Sequence, residues 1–147
     1  MRTKKEIVHQ FFQVSRTMTN TLNHRLAVYD LTHAQLAVIE YLASKSSSVS
    51  LVDIATYLHV EKSTVTRTVR ILEKAGFIEQ VASEDSREKR MILSDKTVQM
   101  QEEIQLTKNQ FEEDLFQSIS KDDLTVTYQT LLKLMKNLNG DDLQQHE

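Results

Sequence analysis

Four side chains in the middle of the chain, Ser63, Arg67, Arg70 and Lys74, are separated by four, three and four residues. At about 100° per residue, that spacing puts them on one face of a helix. The face carries a hydroxyl and three cations, with no acid among them. Its chemistry is the grip of a polyanion, because ammonium and guanidinium groups neutralise phosphates and the arginine fork matches paired acceptors. Arg67 is the residue suited to O6 and N7 of a guanine in a major groove. Arg70 and Lys74, further along, suit phosphate. Ser63, Thr64 and Thr66 add hydroxyls near the helix start, where amide dipoles assist an anion. A polar turn follows at residues 83–88 with Arg87 near its tip, and then Lys89 and Arg90. On a strand those two side chains alternate, so that one faces phosphate and the other solvent.

Other chemistries lack their residues. Cysteine is absent, which excludes disulfides and thiolate ligands. The five histidines (His9, His24, His33, His59, His146) form no i, i+3 or i+4 pair, so no local metal site is read. There is no glycine-rich phosphate loop and no G-x-S-x-G nucleophile motif. An enzyme, a metal protein or a cofactor-dependent protein is not expected. No apolar run approaches the ~20 residues of a membrane span, and the N-terminus lacks the apolar core of a signal peptide. The cytoplasm is the expected compartment.

The basic face has a bland reading as well, a solvated helix surface, and Arg87 alone is one exposed cation. The elements on either side decide between the readings. Val65, Val69 and Leu72 form the inward stripe of the helix, and Gly76 ends it as a left-handed residue. Strands are predicted over Phe77–Ala82 and Lys89–Leu93, making a charged two-stranded hairpin around the turn. Upstream, residues 45–50 read as a loop, with Ser50 capping a short helix over 51–58 and 59–61 forming a turn. Thr32, with Gln35 three residues on, reads as a capping box for a helix whose stripe is Leu36, Ile39 and Leu42. A long helix is predicted from Glu6 to about Tyr29. Another follows Ser94 or Asp95 to about Ile119, with Met100, Ile104, Phe111 and Leu115 inward. Asp122 opens the last, with Leu124, Tyr128, Leu131, Met135 and Leu138 as its stripe; Asn139–Gly140 ends it before a frayed tail. With Pro 0 and Gly 2 in 147 residues, a mainly α fold with a small β-wing is expected, a winged helix-turn-helix core between terminal helices.

From Leu31 to Ser94 the chain resembles the MarR family of transcriptional regulators. The resemblance rests on LTHAQLAVIEYL (31–42), LVDIATYLHVEKSTVTRTVRILEKAGFI (51–78) and DSREKRMILS (85–94). The family's wing pattern appears as Asp85, Arg87, Leu93 and Ser94. Two positions depart from it: Thr97 stands where a glycine is common, and Gln80-Val81-Ala82 supplies no basic residue on the first wing strand. The resemblance implies that Arg87 inserts into a minor groove, with Asp85 holding its guanidinium. It also implies that the terminal helices interlock across a two-fold axis. Apolar residues such as Ile7, Phe11, Val14, Phe111, Leu115, Leu131 and Met135 would otherwise be core, but one chain offers them too little partner surface. Residues 1–30 and 95–147 are therefore read as a dimerisation region and 31–94 as the DNA-binding lobe, within a single structural domain.

A net charge of −3 is compatible with this once it is divided along the chain. Residues 1–49 net +3, residues 50–94 carry seven charges of each sign, and residues 95–147 net −6. The acidity sits away from the basic face. The expected partners are double-stranded DNA, a second copy of the chain and a small-molecule inducer. The alternative is a protein-interaction module, of anti-repressor type, that keeps the fold without binding DNA.

Overall fold

Thr3 starts the first helix through a reciprocal box: its hydroxyl accepts the Glu6 amide at 3.2 Å, and the Glu6 carboxylate accepts the Thr3 amide at 3.3 Å. In the computed structural model, which describes residues 2–85 and 87–145, this helix (α1) spans Lys4–Leu26, and a 3-10 turn continues it over Ala27–Tyr29. The Arg2 guanidinium, 2.9 Å from Glu6, lowers that carboxyl's pKa, helped by hydrogen bonds from Thr3. Leu22 and Leu26 enter the core while the start of the helix stays exposed.

The box expected at Thr32 and Gln35 is present, and it opens α2 (His33–Ala43). Leu36, Ile39 and Leu42 are all buried, as their spacing requires. The 45–50 stretch needs a correction. It ends in a two-residue strand, β1 (Val49–Ser50), so the sheet has three strands rather than two. Two residues are too few to show a period, but Val49 is buried, and pairing with a neighbouring strand satisfies its backbone. Ser50 then caps α3 (Leu51–Leu58), its hydroxyl accepting the Asp53 amide at 3.1 Å.

α4 spans Lys62–Lys74 and turns Val65, Val69 and Leu72 inward, each at most 1% exposed. Burial of side chains this size contributes about 1.5–3 kcal/mol each, enough to fix which face looks out. Gly76 follows with φ +84°, the left-handed conformation that glycine adopts without strain. The chain then enters β2 (Ile78–Val81) and returns as β3 (Arg90–Leu93). The order is β1-β3-β2, antiparallel throughout, with Val81 opposite Arg90 and Ile78 opposite Leu93.

α5 spans Asp95–Leu115, ending before the expected Ile119 because Ser118 takes a left-handed conformation (φ 66°) and turns the chain. α6 spans Lys121–Gln145 and passes through Asn139–Gly140, which were expected to end it. Gly140 keeps negative φ, so a glycine there is a weak point in a helix and not its terminus. Of the expected frayed tail, 141–145 are helical, and His146 and Glu147 lie outside the described residues.

The contacts divide the chain into two compact units, one through Phe111 and one from Glu112. The first holds α1 to α4, the sheet and most of α5, around a core that includes Leu26, Ile39, Ile54, Leu72, Ile78 and Met91. Within it Tyr29 reaches α5, its hydroxyl 2.7 Å from that of Thr107, and Lys108 pairs with Glu40 of α2 at 2.7 Å. Phe111 is buried at 7% exposure, with the Arg25 guanidinium 5.6 Å from its ring centroid. The second unit holds the end of α5 and α6, where Tyr128, Leu131, Met135 and Leu138 are exposed.

Candidate nucleic-acid interface

Burial of the Val65 stripe leaves Ser63, Arg67, Arg70 and Lys74 exposed along the outer side of α4. The three cations make no ion pair with any described residue. The start of the helix differs from its neighbours. α1, α2 and α3 each begin with a reciprocal capping box, whereas Glu61 precedes α4 without a side-chain cap. The Thr64 amide donates to the Glu61 carbonyl at 3.0 Å, and the amides of Lys62 and Ser63 are left for an outside acceptor, beside the exposed hydroxyls of Ser63 and Thr64. Thr66 is half-buried and donates its hydroxyl proton to the Lys62 carbonyl at 2.9 Å, which leaves it able to accept.

The hairpin between β2 and β3 carries the remaining basic residues. The Arg87 side chain is 93% exposed. Asp85 accepts the Arg87 amide at 2.9 Å and stands 3.7 Å from its Nε, so one carboxylate shapes the turn and faces the guanidinium. Ser86 between them is outside the described residues. Lys89 and Arg90 are engaged within the chain. Lys89 Nζ lies 2.8 Å from Glu73 of α4, tying the wing to the last turn of that helix. Arg90 donates to the Ser48 hydroxyl at 2.9 Å, to the Ser48 carbonyl at 2.6 Å and to Glu88 at 2.6 Å. It thereby pins the residue before β1 to β3.

Glu73, Ser48 and Glu88 had no place in the sequence reading. The partners of Glu73 and Ser48 are 16 and 42 residues away, and Glu88 reaches Arg90 two residues on, so no periodicity marks them. The junction after α4 was also not foreseen. Ser94 donates to the Gly76 carbonyl and Thr97 to the Phe77 carbonyl, both at 2.7 Å, while Lys96 lies 4.3 Å above the Phe77 ring.

A helix on a scaffold of two others, presenting exposed cations and followed by two strands that complete a three-stranded sheet, defines a winged helix-turn-helix protein. The family follows from comparison with known proteins. The MarR family profile matches residues 31–89. An uncharacterized HTH-type transcriptional regulator of Bacillus subtilis (strain 168), YwoH, is 31% identical over 119 residues, which cover 81% of this chain and 86% of that protein. The chain belongs to the MarR family, whose members are transcriptional regulators and not enzymes. Among solved structures, the S. aureus MepR–DNA complex is similar at a TM-score of 0.84 with 22% identity, over 93% of this chain and 99% of that one. A mutant of E. coli MarR complexed with operator DNA is similar at 0.80 with 21% identity, over 91% and 99%. At those identities the likeness is one of fold. Among the described residues, no helix is long and apolar enough to cross a membrane.

Proposed function

We propose that the protein is a homodimeric DNA-binding regulator, a repressor, that recognises a pseudo-palindromic operator and is released by a small-molecule ligand. Each α4 enters a major groove, and Arg87 enters the flanking minor groove. Ser63, Thr64, Thr66 and the open amides of α4 meet phosphate or base edges, Arg67 reads a guanine, and Arg70 and Lys74 meet phosphates. Lys89 and Arg90 first hold the wing in shape, and any phosphate contact they make competes with Glu73 and Glu88.

The observation that carries the reading is the contrast among the cations. Arg67, Arg70 and Lys74 stand exposed on one face and pair with no described residue, while Lys89 and Arg90 nearby are paired within the chain. The dimer is supported by Ile7, Phe11 and Val14 of α1, and by Leu131 and Met135 of α6, which are 42–47% exposed. Large apolar side chains left half in water in each of the two units favour burial against a second copy of the chain. The ligand is supported by a cleft of about 310 Å³ between α2 and α5, with Leu36, Ile39 and Ile104 on its apolar wall and Glu40 and Lys108 also lining it. That is the lower end of small-molecule pocket sizes.

Selection from a random DNA pool tests the reading. Enrichment of a two-fold symmetric site, followed by an electrophoretic shift on it, is the expected result. A chain that enriches nothing at moderate salt would instead be the interaction module, a reading that the even charge balance of residues 50–94 favours.

A further inference from the structure

The recognition helix is fastened at one end through three consecutive carbonyls. Ala75 O accepts from Lys96 Nζ at 3.2 Å, Gly76 O from the Ser94 hydroxyl at 2.7 Å, and Phe77 O from the Thr97 hydroxyl at 2.7 Å. Phe77 O also accepts the Ser94 amide at 3.0 Å. All the donors belong to the start of α5 or the residue before it. A carbonyl can only accept, so both hydroxyls must be donating, and each has a single proton to give. Ser94 is 5% exposed and Thr97 is fully buried, so no water takes over if a bond is lost. Charge reinforces the joint, since the Lys96 ammonium sits 4.3 Å over the Phe77 ring at the negative end of the α4 dipole.

Carbonyls 75–77 are where α4 gives way to β2, and Gly76 is the one described glycine with positive φ. A turn of this kind is ordinarily a flexible place. Here its backbone acceptors are held by the first turn of another helix, so the C-terminal end of α4 is tied to α5, in addition to the hold of the core on Val65, Val69 and Leu72.

We infer that Thr97, with Ser94 and Lys96, is a positioning joint that sets how strictly the protein discriminates the spacing between operator half-sites. The inference rests on the proposed dimeric DNA-binding function. Two recognition helices tied firmly to the frame of a dimer can meet only one separation of grooves. Inserting one base pair between half-sites rotates one of them by about 35° about the DNA axis. A loosened joint lets each helix follow its groove, and the penalty for that insertion falls. Sequence preference within a half-site is unaffected, because Arg67 and its neighbours are untouched.

The test uses the full-length protein and the site enriched from the random pool, rebuilt with one base pair removed, unchanged, or with one added between half-sites. Thr97→Val keeps the shape and removes the proton donor; Thr97→Ser keeps the donor. The ratio of affinities for correct and altered spacing should fall in Thr97→Val by up to about fivefold, the net value of one hydrogen bond. It should stay at the wild-type ratio in Thr97→Ser. Lys96→Met, at an exposed position where folding is not at risk, should lower the ratio in the same direction. A ratio unchanged in both Thr97→Val and Lys96→Met, or an equal loss at every spacing, overturns the joint while leaving DNA binding intact. Wild-type protein that binds no DNA overturns the underlying function instead, so the two failures are distinct.

Discussion

Replacing Arg90 with alanine separates a fold-holding cation from a DNA-gripping one. The guanidinium makes two bonds to Ser48 and one to Glu88, and its side chain is 28% exposed. The Glu88 pair is partly open to solvent, at 39% exposure for the acid, so it contributes no more than about 1 kcal/mol. The two Ser48 bonds use a charged donor on neutral acceptors in a half-buried place, and a conservative value of about 1 kcal/mol each applies. Arg90→Ala should therefore cost about 2–3 kcal/mol, much of it because the Ser48 carbonyl loses its donor beside β1. For a chain of this size the midpoint of thermal unfolding should drop by roughly 5–10 °C. The assay is circular dichroism against temperature at one fixed protein concentration, since unfolding of a dimer depends on concentration. DNA affinity measured well below the new midpoint should change less than stability does, and the salt slope should stay the same. An unchanged midpoint together with a shallower salt slope would refute the reasoning and make Arg90 a phosphate contact.

Arg67→Ala should cost about 1–3 kcal/mol of operator binding and relax preference at one position per half-site. Lys74→Ala should weaken all sequences alike and reduce the salt slope by about one charge per half-site. Affinities for single-base variants across a salt series check both, and exchanged phenotypes would mean that α4 docks in the opposite sense. Arg87→Ala should weaken binding most at sites with A·T-rich flanks, and Asp85→Ala should reproduce part of that loss; equal effects on all flanks would remove the wing from the minor groove. Light scattering at micromolar concentration should give twice the chain mass of 17.0 kDa, and a stable folded species at 17.0 kDa would sink the dimer.

Elements with a local cause could be read from the chain. The box at Thr32 and the cap at Ser50 involve residues three apart, the Val65 stripe repeats within three turns, and Gly76 marks a backbone that few other residues adopt. What escaped the sequence reading has distant causes. β1 exists because β3 lies beside it, and neither Val49 nor Ser50 announces that neighbour. The basic wing looked free because Glu73 is 16 residues from Lys89, and Ser48 is 42 from Arg90. Gly140 misled in the other direction: composition suggested a stop, but the helix runs on through it to Gln145. The basic face of α4 was legible because a helical face is a matter of counting. Which cations remain unpaired on it was not, because pairing depends on the folded surroundings.

The recognition helix has one end clamped and the other uncapped, which makes it a lever. Its 13 residues span about 20 Å, so a tilt of about 5° at the Gly76 end would sweep the Ser63 end through about 1.7 Å. Hydrogen bonds tolerate about 0.5 Å before they weaken. On the proposed docking, the side chains that would touch base edges sit where angular error is multiplied, at the end of α4 farthest from the joint that Thr97 makes with Phe77. A sweep of that size would also move Val65, which is 1% exposed, so the packed core and the joint at Gly76 together hold those side chains in register.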